Sequence, residues 1–577
     1  MAYTIGAHTD TDSNIDTDIA FIEQCRIHKM VKDSGYHNFE KCKIPLQTNL
    51  NIAKWEEYLS QYSYCDKIVV QYLAFGWPLN FVSETPPRSE LRNHKGARDF
   101  SAFVDGYLKR EVKNGRILGP FIRPPFENFA VSPLNTVPKS DSDERRVIVD
   151  LSWPIGSSVN DGIDGELYLG EPSDLHFPTI DDIVTLIHQA GAGCFIYKRD
   201  LKTAYRQFPV DPGDWQYLGY FWNGRYYFDT TLCMGQKTSA LGCQRSTRAV
   251  VFIHTCRGYS CTVYLDDFIG IEPISRAWAS YYDLLKLMVE LGLRENAVKA
   301  HPPSQRQVCL GILFDTVNMT ISVTDERLTE IRELLAVWSD KSVASKREIQ
   351  ALLGKLMFVS KCVRQSRIFV NRILTVLRSL KRDFYKYKLS IDFKRDLVWW
   401  RTFISVYNGV SILPGDRWSA PDAVLATDAC LTGCGAICGK SYFHSEFPEV
   451  IKLQELHIHN LELLTVVVAL RLWHNELAGN RVLIYCDNSP SVFALNSGRT
   501  SDSFSASCLR ELWFWCCMSQ VEIRAVHLPG RENRLPDFLS RWHLDIKYQK
   551  LFFNEIDSNV FDDVLLHNEL FIFHDQF

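Results

Sequence analysis

The sequence predicts an α+β chain of several domains, and three observations lead there. The 577 residues are 46% hydrophobic with a net charge of −4, enough apolar material for roughly three or four domains. Between 96 and 325, strand-like and helix-like runs alternate. A helical stretch follows at 326–388, and beyond a connector at 389–421, which ends in Pro414-Gly415 and Pro421, a second alternating α/β stretch runs from 422 to 542.

Taken in order, 1–95 reads as an N-terminal extension, partly disordered, with an acidic start. Asp10, Asp12, Asn14 and Asp16 are spaced like a calcium loop, but Ile15 stands where the turn glycine belongs and no Glu closes it. Cys25, His28, His37 and Cys42 fit no standard zinc spacing. Asp33-Ser34-Gly35 lacks the apolar strand that an aspartic-protease triplet needs.

From 96 onward the pattern predicts a Pro-rich irregular stretch at 116–138 and a strand at 146–150. A helix at 180–190 is opened by Asp181 and Asp182. Next come a strand at 194–200 that ends in a carboxylate, a helix at 239–255, a hairpin at 262–271 and a helix at 278–291. In the helical stretch, Leu328, Ile331, Leu334 and Leu335 recur at helical spacing, as do Ile349, Leu352, Leu353 and Leu356. Twelve Lys/Arg between 346 and 388 face only Glu348 and Asp383. This basic segment can grip phosphates although the whole chain is near neutral. The second α/β stretch predicts strands at 424–428, 482–487 and 521–526, and helices at 460–473, 501–515 and 535–542. Residues 543–577 read as an acidic tail, with seven Asp/Glu against Lys547 and Lys550.

The 17 cysteines and a start without a charged or apolar leader predict a reducing, intracellular setting, cytoplasm and/or nucleus. No run of about 18 apolar residues occurs, so no membrane partner is expected.

Two sets of acids carry the chemistry. In Tyr264-Leu265-Asp266-Asp267 two adjacent carboxylates stand between β-branched and apolar runs, the pattern of a hairpin with acids at its tip. Forced together in apolar surroundings they repel and lose hydration, which a divalent cation relieves. Asp200 ends another buried strand. If the two strands are neighbours, three carboxylates converge, enough for two magnesium ions that activate a hydroxyl and stabilise a pyrophosphate leaving group. In the second α/β stretch, Asp428 and Asp487 end strands, Glu462 lies on an apolar helix and Asp537 opens the last helix. Four such acids in order suggest another two-metal site.

The order of motifs resembles reverse transcriptases, and among them the DIRS-like retrotransposons that carry a tyrosine recombinase. The resemblance rests on Asn93-His-Lys-Gly-Ala97, Gly119-Pro-Phe, Ser132-Pro-Leu and Arg146-Val-Ile-Val-Asp-Leu-Ser-Trp-Pro-Ile-Gly-Ser-Ser-Val-Asn-Asp161, and covers about 90–542. The acids after 422 resemble retroelement ribonuclease H. The likeness implies a right-hand polymerase, with fingers and palm at 96–325 and thumb at 326–388, followed by an RNase H-like α/β domain at 422–542.

The likeness also implies roles. Asp200 and Asp266 would be metal ligands and Asp267 their supporting carboxylate. Tyr205 would exclude a ribose 2′-hydroxyl, and Lys139 and Arg146 would grip the triphosphate. Gly235, in Leu232-Cys-Met-Gly235, would let template and nucleotide approach. Lys299 would protonate the leaving pyrophosphate, and Leu310-Gly311-Ile312 resembles a primer-grip hairpin. Asp428, Glu462, Asp487 and Asp537 would bind the second pair of ions. Mg²⁺ is the implied cofactor, two per site, with Mn²⁺ as its substitute. The implied partners are RNA template, DNA primer, RNA–DNA hybrid and dNTPs, with a recombinase or capsid-like protein on other chains.

Two departures stand out. Leu241 replaces the proline that usually follows Ser-Ala, and Pro536 replaces the alanine before the last acid. His527, ten residues before Asp537, has a spacing seen for a catalytic histidine in some relatives, but Leu-Pro-Gly follows it, which predicts a strand position. Two rival readings are a non-catalytic nucleic-acid-binding scaffold on the same fold and a polymerase of another retroelement class. The intact acids oppose the first, and the Asn-His-Lys-Gly-Ala and Asp-Leu-Ser-Trp-Pro signatures oppose the second.

Overall fold

The computed structural model describes residues 25–28, 30, 45–139, 143–173, 175–407, 409–412, 420–556 and 560–573. The calcium-like acidic set, the protease-like triplet, His37 and Cys42 lie outside these residues. The chain divides into two compact units, Met1–Gln307 and Val308–Phe577.

In the first unit helix α1 (Ile180–Ala190) starts at a capping box. The Thr179 hydroxyl accepts from the Asp182 N–H, and the Asp182 carboxylate accepts from the Thr179 N–H. Strand β1 (Phe195–Asp200) follows, then helix α2 (Ser239–Cys256), strands β2 (Cys261–Tyr264) and β3 (Asp267–Glu272), helix α3 (Ile274–Glu290) and strand β4 (His301–Ser304). The strands form one antiparallel sheet in the order β4-β1-β3-β2. The three helices pack on it, and Ile196, Tyr197, Phe268, Ile269 and Ile271 are buried. Helix α2 begins at Ser239 without the usual proline at 241. Helix α3 begins four residues before the expected start, because Pro273 supplies the turn into it.

Residues 45–95 are more ordered than their sequence suggested. Helices Ile52–Gln61 and Ile68–Phe75 belong to the first unit's core. The Trp55 indole N–H donates to the Leu291 carbonyl at 2.9 Å. A hairpin of Leu134–Pro138 and Arg145–Val149 carries the segment read as fingers. Here three of the signature motifs meet. Asn93 accepts from the Leu134 N–H and donates to the Phe221 carbonyl, while His94 Nε2 lies 2.8 Å from Asp150 Oδ2.

In the second unit helices Asp325–Ser339, Lys346–Val359 and Asn371–Ser379 occupy the predicted helical stretch. The expected connector holds a further helix, Ile391–Val406. Phe393, Leu397, Trp399, Trp400 and Phe403 are buried along it. Phe393, Leu397, Trp400 and Ile404 recur at helical spacing, a signal that the Pro-Gly punctuation beyond it obscured.

The remainder is a six-stranded sheet. Its elements are β5 (Ala423–Ala429), β6 (Gly433–Cys438), β7 (Ser441–Glu446), α4 (Ile458–Leu472), β8 (Arg481–Cys486), α5 (Ser503–Met518), β9 (Glu522–His527), α6 (Arg534–Ser540) and β10 (Asp562–Asp563). The order is β9-β8-β5-β6-β7-β10. Strands β5, β8 and β9 run parallel, as do β7 and β10, while β5-β6-β7 is an antiparallel meander. The acidic segment after 543 therefore closes one sheet edge. Its helix Ile546–Glu555 buries Phe552 against Tyr442. The chain is thus an α+β multidomain protein, with helices on an antiparallel sheet in the first unit and a mixed six-stranded α/β sheet in the second.

Candidate active sites

The first site is built by strand register. Asp200 and Asp267 are direct cross-strand partners, and Tyr264 pairs with Asp267 across the hairpin. Leu265 and Asp266 make the two-residue turn, with Leu265 at φ +55°. Gln244 of α2 holds this turn from beneath. Its side-chain oxygen accepts from the Leu265 N–H at 2.7 Å, and its amide donates to the Val263 carbonyl at 2.9 Å. The Leu201 N–H donates to the Asp266 carbonyl at 3.1 Å. Asp200, Asp266 and Asp267 are thereby gathered at one sheet end.

Two lysines answer this charge. Lys299 Nζ lies 3.3 Å from Asp200 Oδ2, and Lys198 Nζ lies 2.9 Å from Asp267 Oδ2. Asn296 donates to Asp200 Oδ1 at 3.2 Å. Burial, with repulsion from Asp200, raises the Asp266 carboxyl above the usual range. Burial raises Asp267 as well, against the pull of Lys198. Sequence reasoning missed Lys198, Gln244 and Asn296. Lys198 alone carried a local signal, two residues before Asp200 and so on the same strand face.

Tyr205 stands in the short turn Ala204–Gln207, half-buried, and burial pushes its phenol up to about 12. Gly235 has φ +105°, and a Cβ there would meet the Val149 carbonyl oxygen at 2.3 Å. Only glycine fits both constraints. Lys139 is ion-paired with Glu144 beyond the hairpin strands, and Arg146 is exposed on that hairpin. Leu310 and Gly311 both have positive φ in the turn between strands Arg306–Cys309 and Ile312–Asp315. Cys25 and His28 are buried, and His28 Nδ1 lies 3.5 Å from Asp211.

The second site follows from parallel pairing. Ala426 of β5 is level with Tyr485 of β8, so Asp428 and Asp487, each two residues on, reach the same sheet end. Helix α4 packs over β5, and Glu462 Oε1 accepts from the Ala429 N–H at 3.1 Å. Ligand oxygens of Asp428, Glu462 and Asp487 all lie within 4.8 Å of one another, the one such group of three among the described residues. Burial and mutual repulsion push Asp428 up to about 7 and Glu462 well above the carboxylate range.

Asp537 is nearby, close enough to raise Asp428, but its Oδ1 accepts from Arg541 Nε at 2.8 Å, and it lies outside the group of three. Its helix is pinned at both ends. Asn533 donates to the Thr427 carbonyl at 2.9 Å, and the Ser540 hydroxyl donates to Asp428 Oδ2 at 2.6 Å. This approach requires Gly433 and Gly435 of β6. A Cβ at 435 would meet Leu539 Cβ at 2.3 Å, and one at 433 would meet the Ser540 carbonyl oxygen at 2.7 Å. Pro536 is accommodated within α6. His527 ends β9, exposed, with Nε2 3.0 Å from the Asp487 carbonyl oxygen.

The donor set of the second site is all oxygen, which suits a hard divalent cation. Two buried carboxylates and a half-buried third, without one, are held at high electrostatic cost. The first site offers the same oxygen chemistry, partly neutralised by its two lysines.

No family model matches the chain, and no curated protein matches it. Solved structures similar to it include a foamy viral protease-reverse transcriptase dRH in complex with double-stranded DNA, at 14% identity and a TM-score of 0.48 over 84% of each chain. A foamy viral protease-reverse transcriptase in complex with double-stranded DNA is similar at 14% identity and TM-score 0.45, over 90% of this chain and 99% of that one. One in complex with RNA/DNA hybrid is similar at 15% identity and TM-score 0.43, over 91% and 64%. Among the described residues no helix is long and apolar enough to cross a membrane.

Proposed function

We propose that the chain is an RNA-directed DNA polymerase with ribonuclease H activity, from a DIRS-like retrotransposon. The observation that supports this most is that each unit gathers acids at one end of one sheet. Asp200 stands opposite Asp267 in the first, and Asp428, Glu462 and Asp487 lie within 4.8 Å in the second. The clasp of Asn93-His94 on Leu134 and Asp150 supports the retroelement class, because it joins three stretches on which that resemblance rests.

In this reading Asp200 and Asp266, with Asp267 in support, hold Mg²⁺ or Mn²⁺ in the polymerase site. Asp428, Glu462 and Asp487 hold it in the nuclease site, with Asp537 as the fourth candidate ligand. Bound ions supply Lewis acidity at the phosphate and an activated hydroxyl or water. The protein's own groups do the rest. Lys299, already at Asp200, donates a proton to the departing pyrophosphate. Tyr205 closes the space a 2′-hydroxyl would need. Gly235 keeps side chains away from template and dNTP, and Lys139 and Arg146 grip the triphosphate. The basic segment 346–388 follows the duplex backbone of template and primer. A recombinase or capsid-like protein would be supplied by other chains.

The test is primer extension on a 5′-labelled RNA template with Mg²⁺, wild type against Asp266→Asn. Extension lost with hybrid cleavage retained is the expected result. A folded wild-type protein that neither extends nor cleaves would sink the enzyme reading.

A further inference from the structure

The strand Lys386–Lys388 pairs antiparallel with Val343–Ser345, and the loop 381–385 leads into it. Leu380 and Leu389 are buried at the two ends of this segment. Between them Phe384 and Tyr385 are 74% and 60% exposed. Single exposed apolar residues are ordinary. Here two adjacent rings stand among four exposed cations, Lys381, Arg382, Lys386 and Lys388. The Tyr387 hydroxyl accepts from the Arg382 N–H at 3.2 Å, so the loop is shaped from within. The guanidinium of Arg347 lies 5.8 Å from the Phe384 ring.

The nearby carboxylates are already engaged. Asp383 pairs with Lys346 at 3.4 Å, and Glu348 pairs with Lys341 at 2.8 Å and Lys386 at 2.5 Å. Lys381, Arg382, Lys388 and Arg347 have no carboxylate partner among the described residues. The surface therefore carries uncompensated positive charge around two flat apolar faces. A duplex would satisfy the charge but offers stacked bases, with no free faces for the rings. Unpaired nucleotides satisfy both, because every base has a π-face and every linkage a phosphate.

We propose that this loop and strand form a platform for single-stranded nucleic acid, on which Phe384 and Tyr385 stack unpaired bases while Lys381, Arg382 and Lys388 track the phosphates. It rests on the proposed function in taking nucleic acid as the ligand, and departs from it at 381–388 alone, where the side chains meet unpaired nucleotides instead of the duplex backbone. Binding is read without catalysis, so failed primer extension does not bear on it, and failed binding leaves the enzyme reading to its own test.

The experiment is fluorescence anisotropy with the full chain in EDTA, using labelled oligo-dT and a blunt duplex of equal length. Phe384→Ala with Tyr385→Ala should weaken oligo-dT binding by roughly tenfold or more, the scale of base–aromatic stacking, and leave duplex binding unchanged. Tyr385→Phe should retain binding, because the ring and not the hydroxyl is used. Lys381→Gln with Arg382→Gln and Lys388→Gln should lower the slope of log affinity against log salt on oligo-dT by about 0.7 per charge. The proposal is overturned if wild type does not bind oligo-dT. It is also overturned if the double-alanine variant binds like wild type, or loses single strand and duplex in equal proportion.

Discussion

The Ser540 hydroxyl donates a 2.6 Å hydrogen bond to Oδ2 of Asp428, from a helix that Gly433 and Gly435 admit to the strand. This bond holds one oxygen of the most central acid and leaves the other free to bind a cation. A hydrogen bond to a charged group is worth about 1.5–3 kcal/mol. Ser540→Ala should therefore slow hybrid cleavage by roughly tenfold or more and leave primer extension unchanged. Single-turnover cleavage of a labelled hybrid alongside extension checks both arms.

The nuclease acids should make metal binding depend on pH. Asp428 is pushed up to about 7 and Glu462 well above the usual carboxylate range, by burial and repulsion from neighbouring carboxylates. Only the deprotonated forms ligate a cation. The Mg²⁺ concentration for half-maximal cleavage should fall as pH rises through about 7, and added Mg²⁺ should restore activity on the acid side. Without metal the linkage runs the other way. A folded-state pKa raised above the unfolded value of about 3.9 gives stability that is present at low pH and lost as pH climbs towards 7. Thermal unfolding in EDTA should show this loss, and Asp428→Asn should lessen it.

Beside Tyr205, Arg206 is buried with Asp229 and Glu111, and half-buried Arg116 borders them. Arg206 Nη1 donates to Asp229 Oδ1 at 2.5 Å, and Arg116 Nε lies 3.0 Å from Glu111 Oε2. Burial raises the Asp229 carboxyl and the neighbouring guanidinium opposes it. Removing one partner strands a buried charge, so Asp229→Ala should cost about 3–5 kcal/mol. Replacing Arg206 and Asp229 together by Met and Leu should cost less. Denaturant titration of the three proteins decides it, with equal losses for single and paired variants counting against the ion pair.

Gly235→Ala places a Cβ 2.3 Å from the Val149 carbonyl oxygen at φ +105°. The backbone must shift, at a cost of about 1–3 kcal/mol. Extension should fall at least tenfold while hybrid cleavage in the second unit persists. Comparing the two rates in one preparation tests this.

Much of the fold was legible because its signals are local. The Thr179–Asp182 cap, the helical spacing of Leu328 to Leu335 and of Ile349 to Leu356, and the apolar strands ending in Asp200, Asp428 and Asp487 all sit within a few residues. The helix at 391–406 obeys the same rule, but Pro414-Gly415 and Pro421 just beyond it carry the stronger local signal, that of a connector. Two other segments, read as a partly disordered extension and an acidic tail, gave no elements because composition says little about distant contacts. Residues 45–95 join the first unit through Trp55, and the acidic segment after 543 joins the second through Phe552 and a two-residue edge strand.

By itself the sequence determined which acids end strands, where helices begin, and that a basic stretch lies between two α/β regions. Those properties depend on neighbours along the chain. Tertiary structure alone decided which acids meet. Asp428, Glu462 and Asp487 converge through the parallel register of β5 and β8 and the docking of α4, while Asp537 turns to Arg541. The same holds for Lys198 on Asp267 and Gln244 under the hairpin turn. Register is a long-range choice in which a one-residue slip turns each side chain to the opposite face, so the local spacing put Lys198 on the face of Asp200 but could not specify Asp267 or the other partners.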